Sequence, residues 1–208
     1  MYPESIDKKT KYILEKIGDS SLAKDFYLAG GTALALQLGH RQSVDLDWFS
    51  RQNFSNEKIK KDLALLGNFK LLSEEKDTIQ GILDEIRVSF FHYGYDLLFP
   101  LIKFKSIDLA DERDIAAMKI DAISSRGSKK DFIDLYFLLK KYSLAELIGF
   151  FENKYKNVEY NKLHILKSFS YFDDAESEPA PVVIQDIEWN KIKEVIADKA
   201  KKILDEGL

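Results

Sequence analysis

Asp45 and Asp47 flank Leu46 in the segment Ser43-Val44-Asp45-Leu46-Asp47-Trp48-Phe49, and about a dozen residues upstream stands Gly30-Gly31-Thr32. Side chains alternate along a strand, so this spacing sends both carboxylates to one side with Cβ atoms roughly 7 Å apart. Two such groups can reach one or two hard cations, and Mg²⁺ keeps several waters that phosphate oxygens can replace. Successive glycines let the backbone approach a ligand closely, and a helix starting there directs unpaired N–H groups at an anion. Alone, each element has a plainer reading: Asp-x-Asp is common on a solvated strand face, and Gly-Gly-Thr commonly makes a turn and a cap. Together and in this order, they point to a site for a triphosphate and its metal.

The elements that must position these residues follow from periodicity. From about Ser5 to Ala23, the residues Ile6, Tyr12, Ile13, Ile17 and Leu22 predict the apolar face of an amphipathic helix. Phe26 to Ala29 reads as a short buried strand ending at the glycine turn. Thr32 then caps a short helix, Ala33 to Leu38, which Gly39 closes in a left-handed conformation. In the next strand Val44, Leu46 and Trp48 take the buried face, while Ser43, Asp45 and Asp47 share the other. Ser55 opens a helix to about Leu66. Phe69 to Leu72, Thr78 to Leu83 and Ile86 to Phe91 read as strands, the last two joined in a hairpin at Asp84-Glu85.

From about Asp108 the pattern is helical, with Ile115, Lys119, Ile120 and Ile123 at helical spacing. A loop at 127–130 precedes a helix carrying Ile133, Tyr136, Phe137, Leu138 and Leu139, its aromatic residues read as packing core together with Phe150 and Phe151. Further helices are expected near 143–155, 160–169 and 190–205, with Asp173 to Pro181 as an acidic loop or tether. The class is α+β: a mixed β-sheet N-terminal part over 1–107 and a C-terminal helical bundle over 108–208.

Composition sets bounds on function. A chain of 208 residues can bury a substantial core, and with no cysteine it has neither disulfides, thiolate zinc sites nor a cysteine nucleophile. The net charge of −4 argues against general nucleic-acid binding, though a local basic surface could still guide an RNA. The first residues lack the apolar stretch of a signal peptide, and no apolar run approaches the roughly 20 residues needed to span a bilayer. A cytoplasmic protein with no membrane contact is expected, with a monomer as the default.

Leu28-Ala29-Gly30-Gly31-Thr32-Ala33-Leu34 and His40-Arg41-Gln42-Ser43-Val44-Asp45-Leu46-Asp47-Trp48-Phe49 resemble the signature of the AbiEii/AbiGii toxin family. That family is a branch of the DNA polymerase β-like nucleotidyltransferases. Ala117 to Ile123, through Arg126, to Lys130-Asp131-Phe132-Ile133-Asp134-Leu135-Tyr136 is similar to its second half-signature. The similarity covers about residues 25–140; the final sixty or so residues carry no such motif. The resemblance implies a nucleotidyltransferase-like core completed by the helical part. It also implies toxins of type IV toxin–antitoxin or phage-defence systems with a separately encoded antitoxin. Transfer of a nucleoside monophosphate from an NTP to a tRNA or protein acceptor is implied, with Mg²⁺ or Mn²⁺ as cofactor. Position by position, it implies that Gly30, Gly31 and Thr32 hold the triphosphate, that Asp45 and Asp47 bind metal, and that Lys119 faces the site. Asp134, or else Asp131, is then the late aspartate.

Other readings stay beside these. Lys119 reads also as a helix lysine snorkelling to solvent, and Asp134 as a general base, a partner for Lys119 or a helical partner of Lys130. Arg41 either reaches phosphate or fixes the loop before the strand, and Ser43 shares the carboxylate face. His40 reads as structural, and His92 and His164 as isolated. Arg126, Lys129 and Lys130 suit either an RNA backbone or a solvated loop. Ser89 falls where many polymerase β-like enzymes place a third carboxylate, so a nucleotide-binding interaction module that has lost transfer is the alternative. A metal-dependent glycosyltransferase also uses Asp-x-Asp, but the early Gly-Gly-Thr and the helical second half argue against it.

Overall fold

The computed structural model describes residues 1–185 and 187–206, and the chain divides into two compact units, Met1–Asp111 and Glu112–Leu208. In the first, α1 (Lys8–Gly18), β1 (Tyr27–Ala29) and α2 (Gly30–Leu38) are followed by β2 (Leu46–Ser50) and α3 (Asn56–Leu66). Then come β3 (Phe69–Glu75), β4 (Thr78–Leu83), β5 (Ile86–His92), β6 (Ile102–Phe104) and β7 (Ile107–Leu109). They form one seven-stranded sheet in the order β3-β4-β5-β2-β1-β7-β6. β1 is antiparallel to β2 and parallel to β7, and β2 is parallel to β5, so the sheet is mixed.

Strand alternation decides which face is core. Leu28, Leu46, Trp48, Val88 and Phe90 are fully buried, together with Leu14 and Ile17 of α1 and Leu63 of α3. Removing each such side chain from water is worth about 1.5–3 kcal/mol, enough to hold short strands in register. Asp84 and Glu85 take φ of 46° and 74°, so β4 and β5 are joined by a two-residue turn whose left-handed backbone matches the strand twist.

Several local expectations are corrected. The first helix does not run from Ser5 to Ala23: a short 3₁₀ turn at Pro3–Ser5 precedes it, and Asp7 caps it by accepting from the Thr10 N–H. Asp19 ends it before a second 3₁₀ turn at Ser21–Lys24. Tyr12 is 60% exposed and Leu14 takes the core position instead. Thr32 does not cap α2, because the helix already starts at Gly30; Gly39, with φ of 63°, does close it. Val44 is 50% exposed because regular pairing begins only at Leu46. Asp108 lies in a strand: β6 and β7 are three residues each, too short for a period to register.

The second unit is helical: α4 (Glu112–Ser125), α5 (Lys129–Leu138), α6 (Leu144–Lys154), α7 (Lys162–Ser168), α8 (Asp173–Glu176) and α9 (Trp189–Asp205). The acidic stretch expected as a loop therefore holds the short α8. The loop before α5 is tighter than expected, since Gly127 reverses the chain in the left-handed region at φ 54° and the helix begins at Lys129. Ser143 and Glu146 form a reciprocal capping box on α6. α4 contacts α5, α6 and α7, and its Ile115 and Ile120 are buried with Phe132, Leu135, Leu147 and Leu166. Phe137 and Phe151 are buried as expected, whereas Tyr136 and Phe150 are half-buried.

Within this apolar packing, Lys154 Nζ meets Asp114 Oδ1 at 2.7 Å, with both side chains inaccessible to solvent. Removing one member strands the other charge away from water. Asp114→Ala is therefore expected to lower unfolding stability by about 3–5 kcal/mol, and Asp114→Leu combined with Lys154→Met to restore most of it. Denaturant unfolding of both variants checks this; a cost under about 1 kcal/mol for the single change would contradict it.

Candidate active site

Ala29, the last residue of β1, pairs with Asp47 of β2, and Asp47 pairs on its other side with Ser89 of β5. The chain leaves β1 at Gly30 with φ of 68° and enters α2 at once. This turn brings the start of α2 against the Asp47 side chain: a Cβ at Gly30 would lie 2.9 Å from Asp47 Oδ2. Both the backbone angle and the space require glycine there.

Gly31 answers a second approach. A Cβ on it would collide with the Arg41 guanidinium and stand 3.5 Å from Ser43 Oγ. Arg41 is 3% exposed, and its Nη1 donates to the Gln42 carbonyl at 3.0 Å. The loop and the first turn of α2 thus share one guanidinium. Thr32 ties them further, its hydroxyl lying 2.8 Å from Ser43 Oγ and donating to the Asp45 carbonyl. The threonine anchors the carboxylate segment rather than its own helix end.

Gly30, Gly31, Thr32, Arg41, Ser43 and Asp47 are therefore close together, and Asp45 is joined to them through Thr32. Both aspartates are half-buried, Asp45 just before β2 and Asp47 within it. The N-cap of α2 is Ala29, whose methyl cannot satisfy the first-turn N–H groups. Those N–H groups and the positive end of the helix suit an anion. Among the described residues no group of three or more His, Cys, Asp or Glu could hold a metal. Two hard carboxylates do fit Mg²⁺ if phosphate oxygens and water complete its octahedron. Ser89 is 3% exposed and sits directly opposite Asp47, so the neighbouring strand offers a hydroxyl there.

The second unit holds a separate buried cluster. Lys119 of α4 is 6% exposed and lies 2.7 Å from both Asp131 Oδ1 and Asp134 Oδ2 of α5. The two aspartates are one helical turn apart and share a face. Both candidates for the late aspartate thus hold the same lysine, and Lys119 does not snorkel to solvent. Asp131 Oδ2 also accepts from Ser128 Oγ at 2.6 Å and from Arg126 Nε at 3.3 Å. Burial pushes the Asp131 carboxyl up, but Lys119, Ser128 and Arg126 together outweigh it and hold the group below its ordinary value of 3.8. Lys129, one of the basic residues considered for RNA, is buried and bonds the Glu176 and Glu178 carbonyls.

The Gly30–Asp47 contact and the pairing of Asp131 with Lys119 escaped the sequence reading. For the second, the three-residue spacing of Asp131 and Asp134 was a usable signal. For the first there was none, because strand register joins residues far apart in the chain. His40 is buried, and His164 Nε2 donates to the Ser124 carbonyl at 3.0 Å.

A mixed sheet with a glycine turn against a strand carboxylate, followed by a helical unit, suits a nucleotidyltransferase. The sequence model of the AbiEii family, described as nucleotidyl transferase AbiEii toxin of a type IV toxin–antitoxin system, matches residues 12–109 and 82–203, and the chain belongs to that family. An uncharacterized protein of Aquifex aeolicus (strain VF5) is 39% identical over 208 residues, covering 96% of this chain and 98% of its own. MenT4, a nucleotidyltransferase toxin from Mycobacterium tuberculosis H37Rv, shares the fold at TM-score 0.61 and 13% identity, over 93% of this chain and 82% of that one. JHP933 from Helicobacter pylori does so at TM-score 0.57 and 13% identity, over 97% and 94%. No helix among the described residues is long and apolar enough to cross a membrane.

Gly30→Ala is expected to cost about 1–3 kcal/mol in backbone strain as its methyl presses on Asp47, and thermal unfolding reads the loss. Asp131 should add stability above pH 4, roughly, because its folded carboxyl titrates below the unfolded one. That contribution is lost as the pH falls through the lowered folded value. The stability gap between wild type and Asp131→Asn is thus widest near neutrality and narrows towards pH 3, measured by thermal unfolding; a constant gap would contradict the assignment.

Proposed function

We propose that this chain transfers a nucleoside monophosphate from an NTP to an RNA or protein acceptor, as the toxin partner of a separately encoded antitoxin. One observation carries the reading: the first turn of α2 stands against the Asp47 carboxylate across Gly30, so anion-binding N–H groups and a cation ligand share one place. Asp45 and Asp47 are the residues that would hold Mg²⁺, or Mn²⁺ in its stead. Such an ion supplies neutralisation of the charge that builds on the phosphate oxygens during in-line displacement.

The chain's own groups do the rest. The α2 N-terminus, with Gly31 and Thr32 N–H groups, binds the triphosphate. Arg41 and Ser43 orient it from the adjoining loop. Within the second unit, Asp131 and Asp134 fix Lys119, and Asp134 acts by positioning that lysine. The acceptor oxygen bonds the α-phosphorus, the bond to the bridging oxygen breaks, pyrophosphate departs, and the hydroxyl proton is released to solvent.

Ser89 supports a second reading. With a serine opposite Asp47, the neighbouring strand lends no carboxylate to activate the acceptor hydroxyl, and the protein would bind nucleotide without transferring it. Radiolabelled NTPs offered with total tRNA and protein distinguish the two. Transfer predicts a labelled macromolecule whose formation falls by about 100-fold or more in Asp45→Ala and in Asp47→Ala. NTP binding with no product under any NTP would favour the second reading and reject the first.

A further inference from the structure

A cavity of about 530 Å³ opens in the second unit between the C-terminal end of α4, α7 and the segment leading into α8. Its wall includes Ile123, Arg126, His164, Lys167, Tyr171 and Asp174, with four serines between them. Arg126 and Lys167 are the cations of this lining and Asp174 its carboxylate, while Arg126 also faces Asp131 and Asp121 behind it. Arg126 reaches Asp131 through Nε alone, its side chain is 65% exposed, and its Nη groups make no further hydrogen bond among the described residues. Lys167 is exposed near the end of α7. His164 is oriented by the Ser124 carbonyl, which only accepts, so its Nε2 carries the proton and Nδ1 is left as the polar edge. Tyr171 is 54% exposed, a large ring held at the surface beside these cations.

We infer that this cavity binds one nucleotide unit of a single-stranded RNA, the phosphodiester on Arg126 and Lys167 and the base stacked on Tyr171. Cations that track the backbone, joined to an aromatic face that accepts any base, are how single strands are held without sequence reading. The volume suits one nucleotide, within the range of small-ligand clefts. The chain's net charge of −4 fits a local grip of this kind better than the broad basic surface a duplex demands. An apolar ligand alone would make no use of these two exposed cations. The inference rests on the reading that the acceptor is RNA.

The experiment titrates a fluorescent single-stranded oligoribonucleotide of eight residues, about two Debye lengths long, into full-length protein and follows anisotropy against salt. Two phosphate-pairing cations predict a slope of log affinity on log salt near −1.4, roughly, and about −0.7 after Lys167→Gln. Tyr171→Ala should weaken binding about tenfold at any salt. Calorimetry of Mg²⁺ with NTP on the same variants should be unchanged, since neither residue belongs to the carboxylate site. Unaltered RNA affinity in both variants, or no RNA binding by the wild type, overturns the inference. If the oligonucleotide binds as predicted but no NTP does, the carboxylate-site reading fails and this one stands. If a peptide library competes and RNA does not, the cavity serves a protein acceptor and the inference is wrong.

Discussion

Gly30 takes a left-handed backbone at the moment the chain leaves β1, and that one residue lets the first turn of α2 stand against a strand carboxylate. Helix N-termini attract anions, so Asp47 is itself favoured beside one. A carboxylate and helix N–H groups in one place are also electrostatically coherent for a metal carried with a polyphosphate. Packing around it makes the position rigid. Ala29 is fully buried and paired to Asp47, Arg41 fills the space that a side chain at Gly31 would occupy, and Thr32 fastens the Asp45 backbone.

The second unit solves a different problem with the same material. Lys119 is withdrawn from solvent and would be costly there alone, yet two carboxylates from one helical face meet it at hydrogen-bond distance. Ser128 and Arg126 then satisfy the outer oxygen of Asp131. Such a network specifies one position for the lysine at the expense of some stability. The Lys154–Asp114 pair shows the same trade on the opposite contact of α4. Charge buried twice along one helix makes α4 the member whose register the others must match.

Much of this was legible in the sequence. The glycine turn, Gly39 as a helix end, the Ser55 cap and the Asp84-Glu85 hairpin each depend on contacts within a few residues, and each is found, whereas the expected alternation holds only from Leu46 and leaves Asp45 before the strand. What was not legible depends on tertiary register. Tyr12 lies in mid-helix but outside the buried stripe of Thr10, Ile13, Leu14 and Ile17, so its ring faces water. Val44 obeyed the alternation but precedes the first paired residue. β6 and β7 are too short for a period; β7 is set by pairing with β1, and β6 by pairing with β7. Thr32 could be recognised as a polar residue at a helix start, but only the folded loop shows its hydroxyl turned to Asp45.

Membership of the AbiEii family gives the chemistry its class, while the residues give it a place that can be tested alone. The most direct test is calorimetric titration of each NTP with Mg²⁺ into wild type and into the Asp45→Ala/Asp47→Ala double variant. The account predicts saturable binding of at least one NTP to the wild type, dependent on the metal and lost in the variant while its fold is retained. Equal binding by both proteins, or none by folded wild type at millimolar nucleotide, would contradict the assignment of the two aspartates.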